Sequence, residues 1–350
     1  MPSRKAEKIV QVLRGEILSG QRAPGEKLPT YDALIEQFRV TRPTVSRVLQ
    51  ALRKEGLVKV IGTRGVFVAT SFPHHTRYLW VTSEHPGSLE WTSFLATILD
   101  LIERGETGIE GEVIPLVAVD GRANNPRYQK LCDAVEHDSV AGLLLMNSAT
   151  VYLLPALQTP GIPRVAIWAP LPHAGLLSLD FDAFLERACA RLLEMGTHIA
   201  VISPHEPNLV RAQEHLLKRG LRKNKVWALH VGPVGCERVI ELLFERSDRP
   251  DAIFITDDNL VEPFLAGLKR AKRRPGKDVY VLAHCNWPRP IGIKEGIEHL
   301  GFDVREILRE AKECIDAQRA GQPSPQRTVP PRFAHELTRP LTGGSQGPAE

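Results

Sequence analysis

The chain has 350 residues, of which 43% are hydrophobic and 25% are charged. This length exceeds one typical domain and supplies enough apolar residues for more than one core. No apolar run reaches the ~18 residues of a membrane-spanning helix, and the amino terminus carries no apolar signal segment. We therefore expect a soluble protein of the cytoplasm that has no membrane partner.

Positive charge is concentrated near the amino terminus. Residues 1–72 contain 13 Lys or Arg against 6 Asp or Glu, whereas the other 278 residues contain 32 against 35. A small basic head joined to a mildly acidic body is the charge pattern expected of a module that binds phosphates. The alternative interpretation is a basic interaction helix whose charged face is simply solvated.

The head begins with three predicted helices. Apolar residues recur at helical spacing in the first one, which Pro24-Gly25 ends in a turn: Ile9, Leu13 and Ile17. Thr30 precedes a short second apolar period and Thr41 precedes a longer third one, so both are predicted helix caps. Pro43 suits the first turn of the third helix, where a missing N–H costs little.

A predicted hairpin follows the third helix. Gly56 ends that helix, and the apolar segments 57–61 and 66–68 are predicted strands. Gly62-Thr63-Arg64-Gly65 joins them as a turn. The order of parts is a helix-turn-helix followed by a β-wing.

Three segments at these spacings resemble the winged-helix domain of the GntR family of bacterial transcription regulators, namely PGEKLPT, VTRPTVSRVLQALRKEGLV and GTRGVFV. The resemblance covers residues 5–70. It implies that the third helix enters the major groove of DNA, where its first-turn side chains face base edges and flanking hydroxyls reach phosphates.

This resemblance selects a set of DNA-binding candidates: Thr30, Tyr31, Thr41, Arg42, Thr44, Ser46, Arg47, Arg64 and Gly65. Arg42 matches the family arginine that follows the capping residue, and it can contact guanine in a bidentate way or clamp a phosphate. Thr30 and Thr41 are explained equally well as helix caps. Asp32 and Ser46 stand where the family often has arginine, which indicates an uncommon operator sequence.

From residue 77 onward, short apolar runs alternate with helical periods, as in RYLWVTS, SLEWTSFLATILDLIERG, GEVIPLVAV and VAGLLLMN. This alternation predicts an α/β body of parallel sheets covered by helices, and its length fits two such halves. We predict a head at 1–70, a linker at 71–76 that contains His74 and His75, and a body at 77–339. Residues 340–350 are predicted to be a flexible tail.

The body resembles the effector domain of the lactose-repressor family, which has the periplasmic sugar-binding-protein fold. The resemblance rests on VAGLLLM, LSLDFDAFLERACARLLEMGTHIAVIS, PDAIFITDDNLVEPFLAGLKRA and RTVPPRF, and it covers residues 76–335. It implies subdomains at 77–172 with 288–315 and at 173–285 with 316–339. It also implies a ligand between them and a homodimer whose two heads move when the ligand binds.

In such a fold the carboxyl ends of parallel strands supply polar groups to the ligand. Polar or aromatic residues follow the predicted strands here, namely Asn147, Trp168, His205, Asp257, Asp258, His284, Asn286 and Trp287. Trp91 matches a region that supplies an aromatic lid in relatives, while Asn208 and Arg211 lie near the place of their sugar-binding arginine. Each of these residues could equally fill a core or cap a helix.

At two places the sequence differs from the sugar-binding residues of the lactose-repressor family. Asn208 stands where many relatives have the arginine that grips sugar hydroxyls, and Cys285 or Asn286 stands where they have a carboxylate. A pocket with amide, His and Trp groups in place of guanidinium and carboxylate need not take the same sugars.

No enzymatic motif is present: the chain lacks GxxxxGK[ST], GxSxG and HExxH, and its five cysteines are scattered without a CxxC pair. We predict neither enzyme activity, nor a cofactor, nor a metal site. The predicted function is a homodimeric transcription regulator, most simply a repressor, that binds a pseudo-palindromic operator under control of a sugar or related metabolite. The alternative is a regulator whose body only dimerises the head and whose ligand cleft is vestigial.

Overall fold

The computed structural model describes residues 4–18, 21–70, 76–146, 148–171, 173–323 and 325–337. The predicted tail at 340–350, most of the predicted linker and the ligand candidate Asn147 lie outside the described residues. No helix within these ranges is long and apolar enough to cross a membrane.

The head has the predicted order of parts. Its elements are the helices α1 (Arg4–Leu18), α2 (Tyr31–Phe38) and α3 (Arg42–Lys54) and the strands β1 (Val58–Val60) and β2 (Val66–Val68). The two strands pair antiparallel, with Val58 opposite Val68. The apolar residues predicted from helical spacing, Ile9, Leu13 and Ile17, all lie in the core of this head. The predicted winged helix-turn-helix is therefore confirmed.

The body alternates strands and helices as predicted. In chain order these are β3 (Arg77–Val81), α4 (Ser93–Arg104), β4 (Glu112–Leu116), α5 (Pro126–His137), β5 (Gly142–Leu145), α6 (Ala149–Tyr152), β6 (Arg164–Ile167), β7 (Gly175–Leu179), α7 (Phe181–Met195), β8 (Ile199–Ser203), α8 (Glu206–Lys218), β9 (Val226–His230), α9 (Pro233–Glu245), β10 (Ala252–Ile255), α10 (Val261–Arg270), β11 (Tyr280–Trp287), β12 (Glu298–Asp303), α11 (Val304–Arg319), β13 (Gln326–Val329) and β14 (Arg332–Phe333).

The chain divides into two compact units. The first contains Met1–Glu84, Ile109–Gly175 and Cys314–Pro325, and the second contains His85–Gly108, Leu176–Glu313 and Gln326–Glu350. In the first unit, β6, β5, β3 and β4 lie side by side in that order. Its parallel ladders include Leu79 opposite Leu143 and Leu79 opposite Ile114. Leu79 and Leu143 are buried in an apolar core, as expected for a parallel sheet covered on its faces.

The second unit contains a six-stranded sheet in the order β14-β12-β11-β10-β8-β9, in which only β14 runs antiparallel to its neighbour. Its core includes Ile202, Ile255 and Phe264. Strands β7 and β13 also pair in parallel within this unit, with Leu179 opposite Val329. The predicted α/β fold class is confirmed.

The division between the two units differs from the predicted subdomains in several segments of the chain. Residues 288–313 belong to the second unit, because β12 pairs with β11 over the whole length of β12. Gly301 permits this close approach, since a Cβ at that position would collide with the Cys285 carbonyl. Helix α4 also belongs to the second unit, where its first residue, Ser93, contacts Asp258 and Asn259.

Residues 316–325 show the opposite difference. They were predicted for the second subdomain, but they pack in the first unit. The Gln318 side chain bonds both the backbone N–H and the carbonyl of Arg164, at 3.1 and 2.8 Å. Arg319 donates to the Ala141 carbonyl at 3.0 Å. These bonds attach the end of α11 to β6 and to the residue before β5, a long-range contact that no local pattern in the sequence reveals.

Candidate functional site

Helix α3 has one buried face and one free face. The buried stripe consists of Val45, Val48, Leu49 and Leu52, which pack in the core of the head. On the other side, Arg42 and Arg47 are exposed, while Thr44 and Ser46 are half-buried. The apolar residues turn one face of α3 into the core. The four side chains of α3 that are predicted to bind DNA therefore lie on the opposite face or at its edge.

The two predicted caps behave differently. The Thr30 side chain accepts a hydrogen bond from the Ala33 N–H at 3.3 Å, which caps α2. Thr41 occupies the N-cap position of α3 but makes no side-chain cap bond. Its hydroxyl lies 3.1 Å from the Thr44 hydroxyl, and both residues have solvent access. This hydroxyl pair at a helix N-terminus is suited to an anionic oxygen.

Arg42 contacts an aromatic ring. Its guanidinium carbon lies 5.5 Å from the centroid of the Tyr31 ring, which joins the first residue of α3 to the first residue of α2. Elsewhere in the head, Arg14 forms an ion pair with Glu55, and Arg22 forms ion pairs with Glu16 and Glu26. Among the described residues, Arg42 has no carboxylate within ion-pair distance.

The wing is held by a third segment of chain. Leu28 N–H donates to the Val66 carbonyl at 2.9 Å, and Val68 N–H donates to the Glu26 carbonyl at 2.8 Å. Gly65 has φ 115°, a conformation that favours glycine, and a Cβ there would lie 3.1 Å from Lys27 Cε. Arg64 is exposed beside it at the tip of the hairpin. The predicted wing residues Arg64 and Gly65 are therefore placed on a turn that is tightly constrained.

A second candidate site lies at strand ends of the second unit. Asp258 is 2% exposed and accepts hydrogen bonds from Ser93 Oγ and from Asn286 Nδ2, the latter at 2.7 Å. His284 Nδ1 lies 3.6 Å from the Asp258 carboxylate. The sequence predicts Asp258, His284 and Asn286 as ligand residues, and the structure brings all three together.

Burial acts to raise the pKa of Asp258, but His284, Ser93 and Asn286 outweigh it and hold the pKa below its ordinary value. The carboxylate is consequently charged near neutral pH. The His284 ring packs against Phe184 and Phe302, with ring centroids 5.4 and 6.0 Å away. The cluster thus combines an anionic acceptor with His and amide groups that can bond hydroxyls, beside aromatic rings that are themselves buried in the core.

The other predicted ligand residues of this unit are spread over different surroundings. Asp257 accepts bonds from the Asn259 backbone and side chain at 2.9 and 2.7 Å, and His205 Nε2 lies 3.7 Å from its carboxylate. Arg211 forms an ion pair with Asp182. Asn208 lies in the first turn of α8 and is half-buried, as is Trp91 before α4.

Trp287 differs from its predicted place at a ligand surface. Its side chain is 3% exposed, and the indole N–H donates to the Arg332 carbonyl at 3.0 Å. The ring also lies 6.2 Å from that of His299. Trp287 thus fills the core between β11 and β14. An aromatic residue at a strand end suits either role, and here contacts with Arg332 of β14 and His299 of β12 accompany its burial.

In the first unit, Trp168 follows β6 with φ 83°, an uncommon conformation for a residue other than glycine.

The sequence prediction did not include three polar residues of this unit that follow strands. Ser83 Oγ contacts Ser148 Oγ and donates to Glu84 at 2.7 Å. All three follow strands β3 and β5, so the strand-end rule that selected Asn147 could also have selected them.

The described residues contain no group of three or more His, Cys, Asp or Glu side chains arranged to hold a metal ion.

The fold and these sites define a winged-helix head on a body of two parallel α/β units. Residues 5–68 match the family described as bacterial regulatory proteins, gntR family. The arabinose metabolism transcriptional repressor of Geobacillus stearothermophilus is 38% identical to this chain over 65 residues, which are 19% of this chain and 18% of that protein. The match thus spans less than a fifth of the curated relative, and the chain carries a GntR-type helix-turn-helix at its amino terminus.

The body is similar to solved structures of LacI-family transcriptional regulators. One from Arthrobacter sp. FB24, in complex with lactose, aligns with a TM-score of 0.56 and 15% identity over 74% of this chain and 97% of that one. Another from Enterococcus faecium, with bound ribose, has a TM-score of 0.52 and 15% identity over 74% and 96%. At this identity the likeness shows the fold of the body.

Proposed function

We propose that this protein is a DNA-binding transcription regulator whose affinity for its operator depends on a small molecule held by the body. The observation that carries the proposal is the free face of α3, where Arg42 and Arg47 are exposed and the hydroxyls of Thr41 and Thr44 lie at the helix start. A helix end with arginines and hydroxyls matches the needs of base edges and phosphates. Repression, as in the arabinose relative, is the simplest mode.

Binding-site selection tests the DNA-reading part. The full chain is incubated with duplex DNA randomised at its centre, and the bound fraction is sequenced after each round. We expect enrichment of two inverted half-sites, because a homodimer presents two identical heads. Affinity for the enriched duplex should fall steeply with salt, since each phosphate contact contributes a slope of about −0.9 in log K against log salt.

A charge-matched control distinguishes DNA binding by α3 of the head from binding through general positive charge. The double variant Arg42→Ala/Arg47→Ala should abolish enrichment. Arg238→Ala/Arg246→Ala removes the same two charges from exposed positions of the second unit and should leave enrichment intact. Equal loss in both variants would show that DNA is held by general charge and not by α3.

The effector part of the proposal is supported by the strand-end cluster of Asp258, His284 and Asn286. These groups can accept hydrogen bonds from hydroxyls and donate hydrogen bonds to them. We infer a sugar or related metabolite as effector, in keeping with the lactose and ribose bound by the two LacI-family regulators.

A second candidate is a regulator whose body only dimerises the head. It is favoured because several predicted ligand residues already contact other groups of the protein. Arg211 forms an ion pair with Asp182, Trp287 is buried, and Asp258 accepts two hydrogen bonds. A thermal-shift screen with mono- and disaccharides and phosphorylated metabolites separates the candidates. A ligand at 100 times its Kd should stabilise the body by about 2.7 kcal/mol, whereas a vestigial site gives no shift with any compound.

A further inference from the structure

The contact between Tyr31 and Arg42 joins two helices of the head at their first residues. Arg42 is exposed and Tyr31 is half-buried, with the guanidinium carbon 5.5 Å from the ring centroid. Tyr31 also packs against the core of the head, so the ring has a fixed position. A planar guanidinium stacks well on such a ring, and the contact restricts a side chain that otherwise samples many rotamers.

This arrangement changes the role of Tyr31. The sequence suggests its hydroxyl as a phosphate donor, a role that carries no information about base sequence. The ring, in contrast, acts on the one side chain of α3 that is best suited to a bidentate contact with guanine. Bidentate recognition needs the guanidinium plane in one orientation, and Arg42 has no described carboxylate partner to provide that orientation instead.

We propose that Tyr31 is a positioning residue for sequence recognition, which orients Arg42 through its ring so that the arginine discriminates guanine at one position of each half-site. The inference rests on the proposed DNA-reading function. Helix α2 then contributes to the DNA-sequence specificity of the head, together with α3. The ring carries this effect and the hydroxyl does not.

Two variants of Tyr31 in the full chain, with Arg42→Ala as the reference, test the proposal on the duplex that the wild-type protein enriches from a randomised pool. Tyr31→Leu keeps apolar bulk against the core but removes the π face, and Tyr31→Phe keeps the ring but removes the hydroxyl. The readout is the ratio of affinities for the enriched duplex and for duplexes substituted at the guanine that Arg42→Ala ceases to discriminate.

We expect Tyr31→Leu to lower this ratio about two- to five-fold, the effect of losing an exposed cation–π contact of ~0.5–1 kcal/mol. Tyr31→Phe should retain the wild-type ratio. In the Arg42→Ala background, Tyr31→Leu should cause no further loss of discrimination, because the residue acts through Arg42. Thermal unfolding of each variant checks that the head remains folded.

Several results would overturn the proposal. If Tyr31→Leu and Tyr31→Phe weaken all duplexes equally, the residue is a phosphate contact acting through its hydroxyl. If Tyr31→Leu leaves discrimination unchanged, Arg42 orients itself. Failure of the wild-type chain to enrich any sequence would instead refute the DNA-reading function, and this inference with it.

Discussion

At the scale of single residues, neighbours of the same type have different environments. Asp257 and Asp258 are adjacent, but Asp258 is 2% exposed and bonded to Ser93 and Asn286, whereas the Asp257 side chain is 21% exposed and bonded to Asn259. Arg42 and Arg47 are both exposed on α3, yet only Arg42 is held against an aromatic ring. These differences lead to separate predictions for each residue.

The two arginines of α3 should have distinct effects on DNA binding. Arg42→Ala should relax base preference at one position per half-site, at a loss of ~1–3 kcal/mol of discrimination. Arg47→Ala should weaken binding to operator and random DNA alike and reduce the salt slope by about one unit. Titrations of both duplexes at several salt concentrations measure this. Equal losses on both duplexes for Arg42→Ala would contradict a base-reading role.

Asp258 should make the second unit sensitive to acid. Its pKa lies below the ordinary 3.8, so its stabilising effect is present above that pH and is lost as the pH falls through its lowered value. Asp258→Asn should cost about 1–3 kcal/mol at neutral pH, because donors of Ser93 and Asn286 lose a charged acceptor. It should also flatten the loss of stability on acidification.

Urea unfolding followed by tryptophan fluorescence at neutral and acid pH measures these two effects. Asp182→Asn is the control, since it removes an exposed carboxylate paired with Arg211 and should leave the pH profile unchanged. An Asp258→Asn variant with wild-type stability at neutral pH would contradict the structural importance of this carboxylate.

At the scale of elements, α2 and α3 each have a threonine at the N-cap position, but the two threonines have different contacts. Thr30 caps α2 with its side chain, whereas the Thr41 side chain makes no cap bond. Pro43 and the buried stripe of α3 contribute to that helix without a side-chain cap. The same residue type therefore stabilises one helix start and is free to serve another purpose at the next.

Substitution of the two threonines should separate these roles. Thr30→Ala should destabilise α2 by about 1 kcal/mol, the typical value of an N-cap. Hydrogen–deuterium exchange of the full chain should then show roughly five-fold faster exchange in Tyr31–Phe38. Thr41→Ala should leave exchange in Arg42–Lys54 almost unchanged while weakening binding to DNA. Faster exchange in α3 would show that Thr41 acts as a structural cap after all.

At the scale of the whole molecule, the proposed function requires that operator binding by the head and ligand binding by the body are thermodynamically coupled. If a ligand weakens operator binding by some factor, the operator must weaken ligand binding by the same factor. Isothermal titration of the ligand found by thermal shift, with and without the enriched duplex, should therefore give two different values of Kd. Unchanged ligand affinity in the presence of DNA would refute the regulatory coupling.

The sequence by itself determined the local features of this protein. The helical spacing of Ile9, Leu13 and Ile17, the cap at Thr30 and the glycines of the wing all act over a few residues, so short patterns define the head. The alternation of strands and helices likewise predicted parallel α/β layers. The strand-end rule further selected Asp258, His284 and Asn286, which do meet in one cluster.

Only the tertiary structure decided the features that depend on residues far apart in the chain. The assignment of β12 and α4 to the second unit follows from ladder bonds and from Ser93 contacts across more than 160 residues. The burial of Trp287 depends on β14, and the placement of Arg42 depends on a ring of another helix. A strand-end aromatic or an exposed arginine fits several surroundings, and packing selects one of them because it fixes which distant groups come into contact.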